Sequence, residues 1–298
     1  MKSKSIHIFG ANSLCGESFK ILINKSVEKF VIRTYSRTYK NESFLDLNSP
    51  EIFQPIIDED ILLISFSPIW LLAPFLNKLI KLNHPFIKNL NGVIACSSSS
   101  SITKKYAFNK YDKELVSSLK SAEDQLINVC KKLNIKNLII QPSMIYGEIN
   151  KFSDKNISFI KKIIKFSPLI IIPENTGSRQ PIHSIQLAKI IEKIIKVDFE
   201  VDLIQNNRIL IGGDEIISYE KMLNRIFESI SNKKKYKKYL FIKIPNRLFF
   251  FLFSPLIILS PQKYESIQRI SANLSGFYLT NDILKGRTQK FPILKNYD

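Results

Sequence analysis

Gly10 and Gly16 bracket the stretch GANSLCG, which follows the apolar run SIHIF and opens an amphipathic one. A loop with a strand before it and a helix behind it offers free backbone N–H groups and a positive dipole end to a pyrophosphate. Gly10 permits the sharp turn and Gly16 lets the helix pack close, with Asn12, Ser13 and Leu14 between them. Ser13 stands at the middle glycine position and is small enough to let a phosphate approach. The chemistry implied is dinucleotide binding. Further on, VIRTYSRT offers Ser36 and Arg37, and no carboxylate occurs between Val31 and Lys40. A guanidinium there suits a 2′-phosphate, which favours NADP(H) and leaves NAD(H) as the alternative. Asp46 and Leu47, in FLDLNSP, stand where a third strand would end beside an adenine ring.

These residues need a scaffold, and the hydrophobic pattern supplies one. SIHIFG, KFVIRTYS, DILLISFS, NGVIACSS and KNLIIQPS each read as a buried strand. Helical stretches over Glu17–Asn24, Trp70–Leu82 and Asp112–Leu133 alternate with them. The pattern predicts an α/β fold, a Rossmann-like doubly wound parallel sheet with a smaller C-terminal substrate-binding cap. The core is expected over 1–150 with 180–215 returning to it, and the cap over 151–179 and 216–298. Within the later part, helices are expected near Asn156–Phe166, Ser184–Lys196 and Ser218–Ser231, around a short strand RILIGG. The lysine run NKKKYKKY at 232–239 reads as a solvated linker.

Seven motifs in order resemble the extended short-chain dehydrogenase/reductase superfamily, the NAD-dependent epimerase/dehydratase family of nucleotide-sugar enzymes. They are GANSLCG, LDL, SFSP, VIACSSSSS, SAEDQLI, LIIQPSMIYG and RQPIHSIQLA, covering roughly 6–191, with a weaker echo in SANLSGFYLTNDILKG. The resemblance implies cofactor contacts from Ser65 and Ser67 in SFSP and from Pro142 and Ser143 beside a nicotinamide. It implies that Ser99 hydrogen-bonds the reacting sugar oxygen, with Ser98 as a neighbouring substrate contact. Tyr146 turns the chain towards the substrate, Arg179 pairs with a substrate diphosphate, and Asn156 is a sugar or diphosphate contact. His183 is expected to serve structure at the cap–sheet junction, and Gln186 replaces the acidic residue usual in that motif.

The superfamily's acid/base is a Tyr-x-x-x-Lys pair, and here the sequence departs from it. Counting back from Glu123, the expected positions hold Leu115 and Leu119. A Tyr-x-x-x-Lys string does occur earlier, in YAFNK, which nominates Tyr106 and Lys110; Thr103, Lys104 and Tyr111 are further loop candidates for the acid. One branch, associated with surface-polysaccharide biosynthesis, resembles SSSSSITKK followed by an acidic helix. It implies reduction at C4 of a UDP-linked 4-keto-6-deoxy-hexosamine. A UDP-sugar 4-epimerase or dehydratase remains the enzyme alternative. A dinucleotide-binding sensor or chaperone that has lost the Tyr–Lys pair is the non-enzymatic one.

Bulk properties bound these readings. The 298 residues carry 44 Lys and Arg against 26 Asp and Glu, a net charge of +18. That excess alone fixes no partner, and nucleic acid is not expected. Three scattered cysteines and three scattered histidines argue for a reduced compartment and against a metal site. No secretory signal opens the chain, so a cytoplasmic protein is expected, with a homodimer as one assembly. NRLFFFLFSPLIILS, ending at Ser260, is too short to span a bilayer. A buried cap helix is the expectation for 247–260, with a partner surface or a shallow contact with an anionic membrane as alternatives.

Overall fold

All five residues of the first strand, β1 (Ser5–Phe9), are buried, as a strand covered on both faces requires. The computed structural model describes residues 5–26, 30–38, 43–167, 169–231 and 240–293; the lysine run at 232–239 lies outside them. After β1 come α1 (Leu14–Asn24), β2 (Val31–Ser36), β3 (Ser43–Phe44), β4 (Ile61–Ser65), α2 (Ile69–Lys81), α3 (Pro85–Lys88) and β5 (Leu90–Cys96). Then follow α4 (Ser100–Thr103), α5 (Lys110–Leu133) and β6 (Lys136–Pro142).

The cap begins with three two-residue strands, β7 (Ile145–Tyr146), β8 (Glu148–Ile149) and β9 (Phe152–Ser153), and continues with α6 (Asn156–Phe166), β10 (Leu169–Pro173) and β11 (Ser178–Arg179). The chain returns to the core through β12 (Ile182–His183), α7 (Ser184–Lys196) and β13 (Arg208–Gly212). It leaves again as β14 (Ile217–Ser218), α8 (Tyr219–Ser231), β15 (Leu240–Ile244), α9 (Asn246–Leu252), α10 (Leu256–Leu259) and α11 (Pro261–Gln268). It ends in β16 (Tyr278–Leu279) and α12 (Thr280–Leu284).

The main sheet has eight strands in the order β16-β13-β6-β5-β4-β1-β2-β3. Every pairing in it is parallel. One apolar cluster joins the sheet to α2, α3 and α5, and a second joins its other face to α1, α7 and α12. The fold is therefore a doubly wound α/β sheet with helices on both faces. A smaller third cluster, with Ile157, Ile164, Met222 and Ile226, forms the cap core.

Two expectations change. Residues 278–284 do not belong to the cap: β16 pairs with β13 as the eighth strand, and α12 packs on α7. A two-residue strand carries too little periodicity to be read from sequence. The segment 247–260 is also not a buried helix. It folds as the short α9 and α10, in which Phe249 alone is buried.

His183 caps α7, its Nδ1 accepting from the Ile185 N–H at 3.2 Å. Gln186 completes a capping box by accepting from the His183 N–H at 3.0 Å and also donates to Asp214 at 3.2 Å. The amide thus anchors the helix that an acidic residue was expected to hold. Burial pushes the His183 imidazole down from 6.5 to about 4. The unfolded chain then takes up the proton first, so this stability is complete above about pH 6.5 and lost as the pH falls towards 4, about 3 kcal/mol in full. His7 is lowered as well, chiefly by burial, and adds in the same direction. In urea titrations across that window, stability should fall with pH, and His183→Asn, which keeps a capping oxygen, should flatten the slope.

Candidate functional site

The strand order reverses between β1 and β4, and the residues beyond their carboxyl ends meet there. Gly10 turns at φ +70°, and a Cβ on it would lie 2.8 Å from the Ser67 nitrogen. At Gly16 a Cβ would lie 2.6 Å from the carbonyl oxygens of Gly10 and Ala11. The two glycines thus let three pieces of backbone crowd together at the head of α1. Ser13 is more than a small substitute: its Oγ accepts from the Gly16 N–H at 3.1 Å and donates to the Gly10 carbonyl at 2.8 Å. It caps the helix, while the N–H groups of Leu14 and Cys15 meet no protein acceptor among the described residues. Asn12 donates to Thr38 at 2.6 Å and ties the loop to the turn that carries Ser36 and exposed Arg37. The Ser36 hydroxyl closes that turn on the Thr38 carbonyl at 2.7 Å.

A cleft of about 430 Å³ opens at this point, lined by Ser13, Leu14, Ser67, Trp70, Ser98 and Lys155 among others. Open N–H groups, the close glycine approach and this volume fit the pyrophosphate half of a dinucleotide. Leu119 also lines the cleft, 2% exposed and packed in the core with half-buried Leu115 against the same cluster. No ammonium group stands at that place on α5. Cys15 and Cys96 also line the cleft, but burial raises the Cys15 thiol to about 12 and pushes Cys96 well above its ordinary value. Neither supplies a thiolate.

The serine run divides by role. Ser97 Oγ donates to Glu123 at 2.5 Å. Glu123, 2% exposed, also accepts from Gln141 and from Arg208, whose Nε lies at 3.1 Å. Ser98 Oγ accepts from the Ser100 N–H at 3.1 Å, which leaves its own O–H to donate into the cleft. Ser99, at 8% exposure, sits at the head of α4 with its N–H on the Pro142 carbonyl, and its hydroxyl makes no side-chain cap. Of this run Ser97 and Ser98 line the cleft and Ser99 does not, and with Ser97 committed to Glu123 the hydroxyl left to donate there is that of Ser98.

Several other nominated residues do not converge on the cleft. Tyr106 is 82% exposed, and Lys110 is exposed and reaches only Glu114 at 3.8 Å. Lys104 is held by Asp112 at 2.7 Å, Thr103 is half-buried and Tyr111 is exposed. Ser65 is fully buried and accepts from the Ser67 N–H, so it shapes the turn. Asp46 closes a local turn on Asn48 at 3.0 Å, and Leu47 lies in the core. Ser143 donates to the Gln180 carbonyl, and the buried Tyr146 hydroxyl accepts from the Ile293 N–H at 3.0 Å. Asn156 is exposed at the start of α6, next to the cleft residue Lys155.

Arg179 is the clearest departure. Its guanidinium donates to the carbonyls of Ser178, Ala272 and Arg269 at 2.8, 2.7 and 2.5 Å, and lies 5.1 Å from the Tyr219 ring centre. Burial pushes it down to about 10. Its neighbour Gln180 bonds the carbonyls of Gly213 and Phe277 and the N–H groups of Gly276 and Phe277. These two residues bolt the C-terminal segments to the core, and three of the five guanidinium N–H groups of Arg179, itself 6% exposed, are taken by backbone carbonyls.

Sequence reasoning missed Asp112, wholly buried and bonded by Lys104, Asn109 and Arg269. Burial alone would raise its carboxyl, but these partners hold it below the usual range. It also missed the partners of Glu123. The signal was present: both carboxylates fall on the apolar stripe of α5 with Val116, Leu119 and Leu126.

No protein-family model and no curated protein sequence matches the chain. Solved structures do. The dTDP-glucose 4,6-dehydratase of Bacillus anthracis, in complex with NAD, superposes with a TM-score of 0.59 at 13% identity, over 81% of this chain and 85% of that one. The GDP-mannoheptose C4 reductase of Campylobacter jejuni, with NADP bound, gives 0.60 at 14%, over 83% and 88%. The UDP-N-acetylglucosamine 4-epimerase of Bacillus cereus gives 0.58 at 12%, over 82% and 86%. The chain has the fold of nucleotide-sugar epimerases, dehydratases and reductases.

Replacing Arg179 with Met should lower unfolding stability by about 3 kcal/mol, since three part-buried carbonyls lose their charged donor. Chemical denaturation checks this. A variant of unchanged stability would return Arg179 to a ligand-binding role.

Proposed function

We propose that the chain is an NAD(P)-dependent nucleotide-sugar oxidoreductase, which reduces a UDP-linked 4-keto-6-deoxy-hexosamine at C4 in surface-polysaccharide biosynthesis. The observation that carries this reading is the cleft at the β1/β4 switch point, lined both by the head of α1 that follows the glycine turn and by Ser98. The fold it shares with a C4 reductase supports it.

In this reading the N–H groups of Leu14 and Cys15 hold the dinucleotide pyrophosphate and Arg37 pairs with a 2′-phosphate, so the cofactor is NADP(H). The cofactor, when bound, supplies the hydride. Ser98 donates its proton in a hydrogen bond to the keto oxygen and stabilises the charge that develops there. Lys155, with Asn156 beside it, takes the sugar diphosphate in place of Arg179. Leu115 and Leu119 supply no acid, so water entering by the mouth of the cleft gives the proton that completes the alcohol.

Leu119 also favours a second reading, a dinucleotide-binding protein without turnover. The two separate in one assay. Incubation with NADPH and a UDP-4-keto-6-deoxy-N-acetylhexosamine should consume one NADPH per sugar; binding of NADPH without consumption would replace the first reading by the second. Ser98→Ala should lower kcat roughly 10- to 100-fold with NADPH affinity unchanged, while Ser99→Ala stays near wild type. Arg37→Ala should weaken NADPH roughly tenfold or more and leave NADH nearly unchanged, as measured by titration calorimetry.

A further inference from the structure

The cap ends in an apolar surface that none of the described residues covers. Leu248, Phe251 and Leu252 on α9, and Ile257, Ile258 and Leu259 on α10, are between 50% and 88% exposed. Phe249 is fully buried beneath them and anchors α9, which packs on β10. The helix leading into β10 repeats the feature, with Phe166 88% and Phe159 62% exposed. Exposed side chains of this size gathered on one part of a soluble protein mark a binding surface.

The charge around this surface states what binds it. Residues 240–264 include Lys243, which pairs with Glu220 at 2.8 Å, and also Arg247 and Lys263, and no Asp or Glu; residues 155–173 include four lysines and no Asp or Glu. Arg247, Lys263 and Lys162 are exposed. A second copy of the chain docked face to face would bring these cations against their own images, which costs binding energy. An anionic lipid surface takes both features together, apolar side chains at the acyl boundary and cations among the headgroups. Among the described residues no helix is long and apolar enough to cross a membrane. We propose that α9 and α10 dock the protein peripherally on an anionic bilayer, with Phe251 and Ile258 as the deepest side chains.

The contact would be coupled by the chain to the segment that follows the serine run. Immediately after α10, α11 sends Glu265 to accept from the Phe108 N–H at 2.7 Å and also from the Asn109 N–H. Arg269, just beyond α11, reaches Asp112 at 3.0 Å. The docking helices are thus joined to the loop that follows the serine run, and a bilayer would hold the cleft at a fixed height above the headgroups.

Flotation of the full-length protein with vesicles tests this, using phosphatidylcholine alone and phosphatidylcholine mixed with phosphatidylglycerol. The protein should float with the anionic vesicles and remain at the bottom with the neutral ones. Phe251→Asp with Ile258→Asp should abolish flotation while leaving the thermal midpoint unchanged, because both side chains lie outside the core. Arg247→Gln with Lys263→Gln should weaken binding about fivefold per residue. Protein that stays at the bottom with anionic vesicles overturns the proposal, as does flotation that survives the aspartate pair. A dimer in light scattering that the aspartate pair dissolves, without flotation, overturns it in favour of a self-interface.

Discussion

A single buried carboxylate holds the cleft end of this fold together. Glu123 extends from α5 into the core and bonds Ser97 beyond β5, Gln141 on β6 and Arg208 on β13. A carboxylate at this depth is tolerable only with a cation and enough donors, and Arg208 and three hydrogen bonds supply them. The arrangement fixes the proton of Ser97, next to Ser98 at the cleft wall. A change at Arg208 would leave an uncompensated charge directly behind the serine run, so β13, paired between β6 and β16, matters to a site it does not touch.

The cap is tied down by the same logic, with polar side chains bridging distant backbone. Arg179 and Gln180 join the segments 213, 269–272 and 276–277, and Asp112, with Lys104 and Arg269, joins α11 to the loop before α5. Apolar packing in the cap is modest, so these bolts do much of the positioning. They also explain why a motif that reads as substrate-binding in sequence, RQPIH, is buried here: Arg179 and Gln180 direct most of their donors to backbone carbonyls.

The sheet was legible because its strands are buried on both faces and appear as continuous apolar runs, each ended by Gly, Ser or Pro. The glycine turn was legible for a steric reason, since only small residues fit beside Ser67 and beneath α1. What could not be read was direction. Sequence places Ser98 and Ser99 side by side, and only the turn into α4 decides which hydroxyl faces the cleft. Nor could it show that Arg179 meets carbonyls 90 residues away, or that an apolar run of core composition would lie exposed on two short helices. Those outcomes depend on long-range contacts that local pattern does not encode.

The central claim is that a dinucleotide lies along the β1/β4 cleft, and the protein carries its own probe for it. Trp70, the single tryptophan, lines that cleft and is 42% exposed. Titrating NADPH while exciting tryptophan should quench Trp70 emission saturably, with matching sensitised emission from the nicotinamide and one cofactor per chain at saturation. Trp70 emission that stays constant throughout the titration, beyond simple light absorption by the added NADPH, would contradict the account.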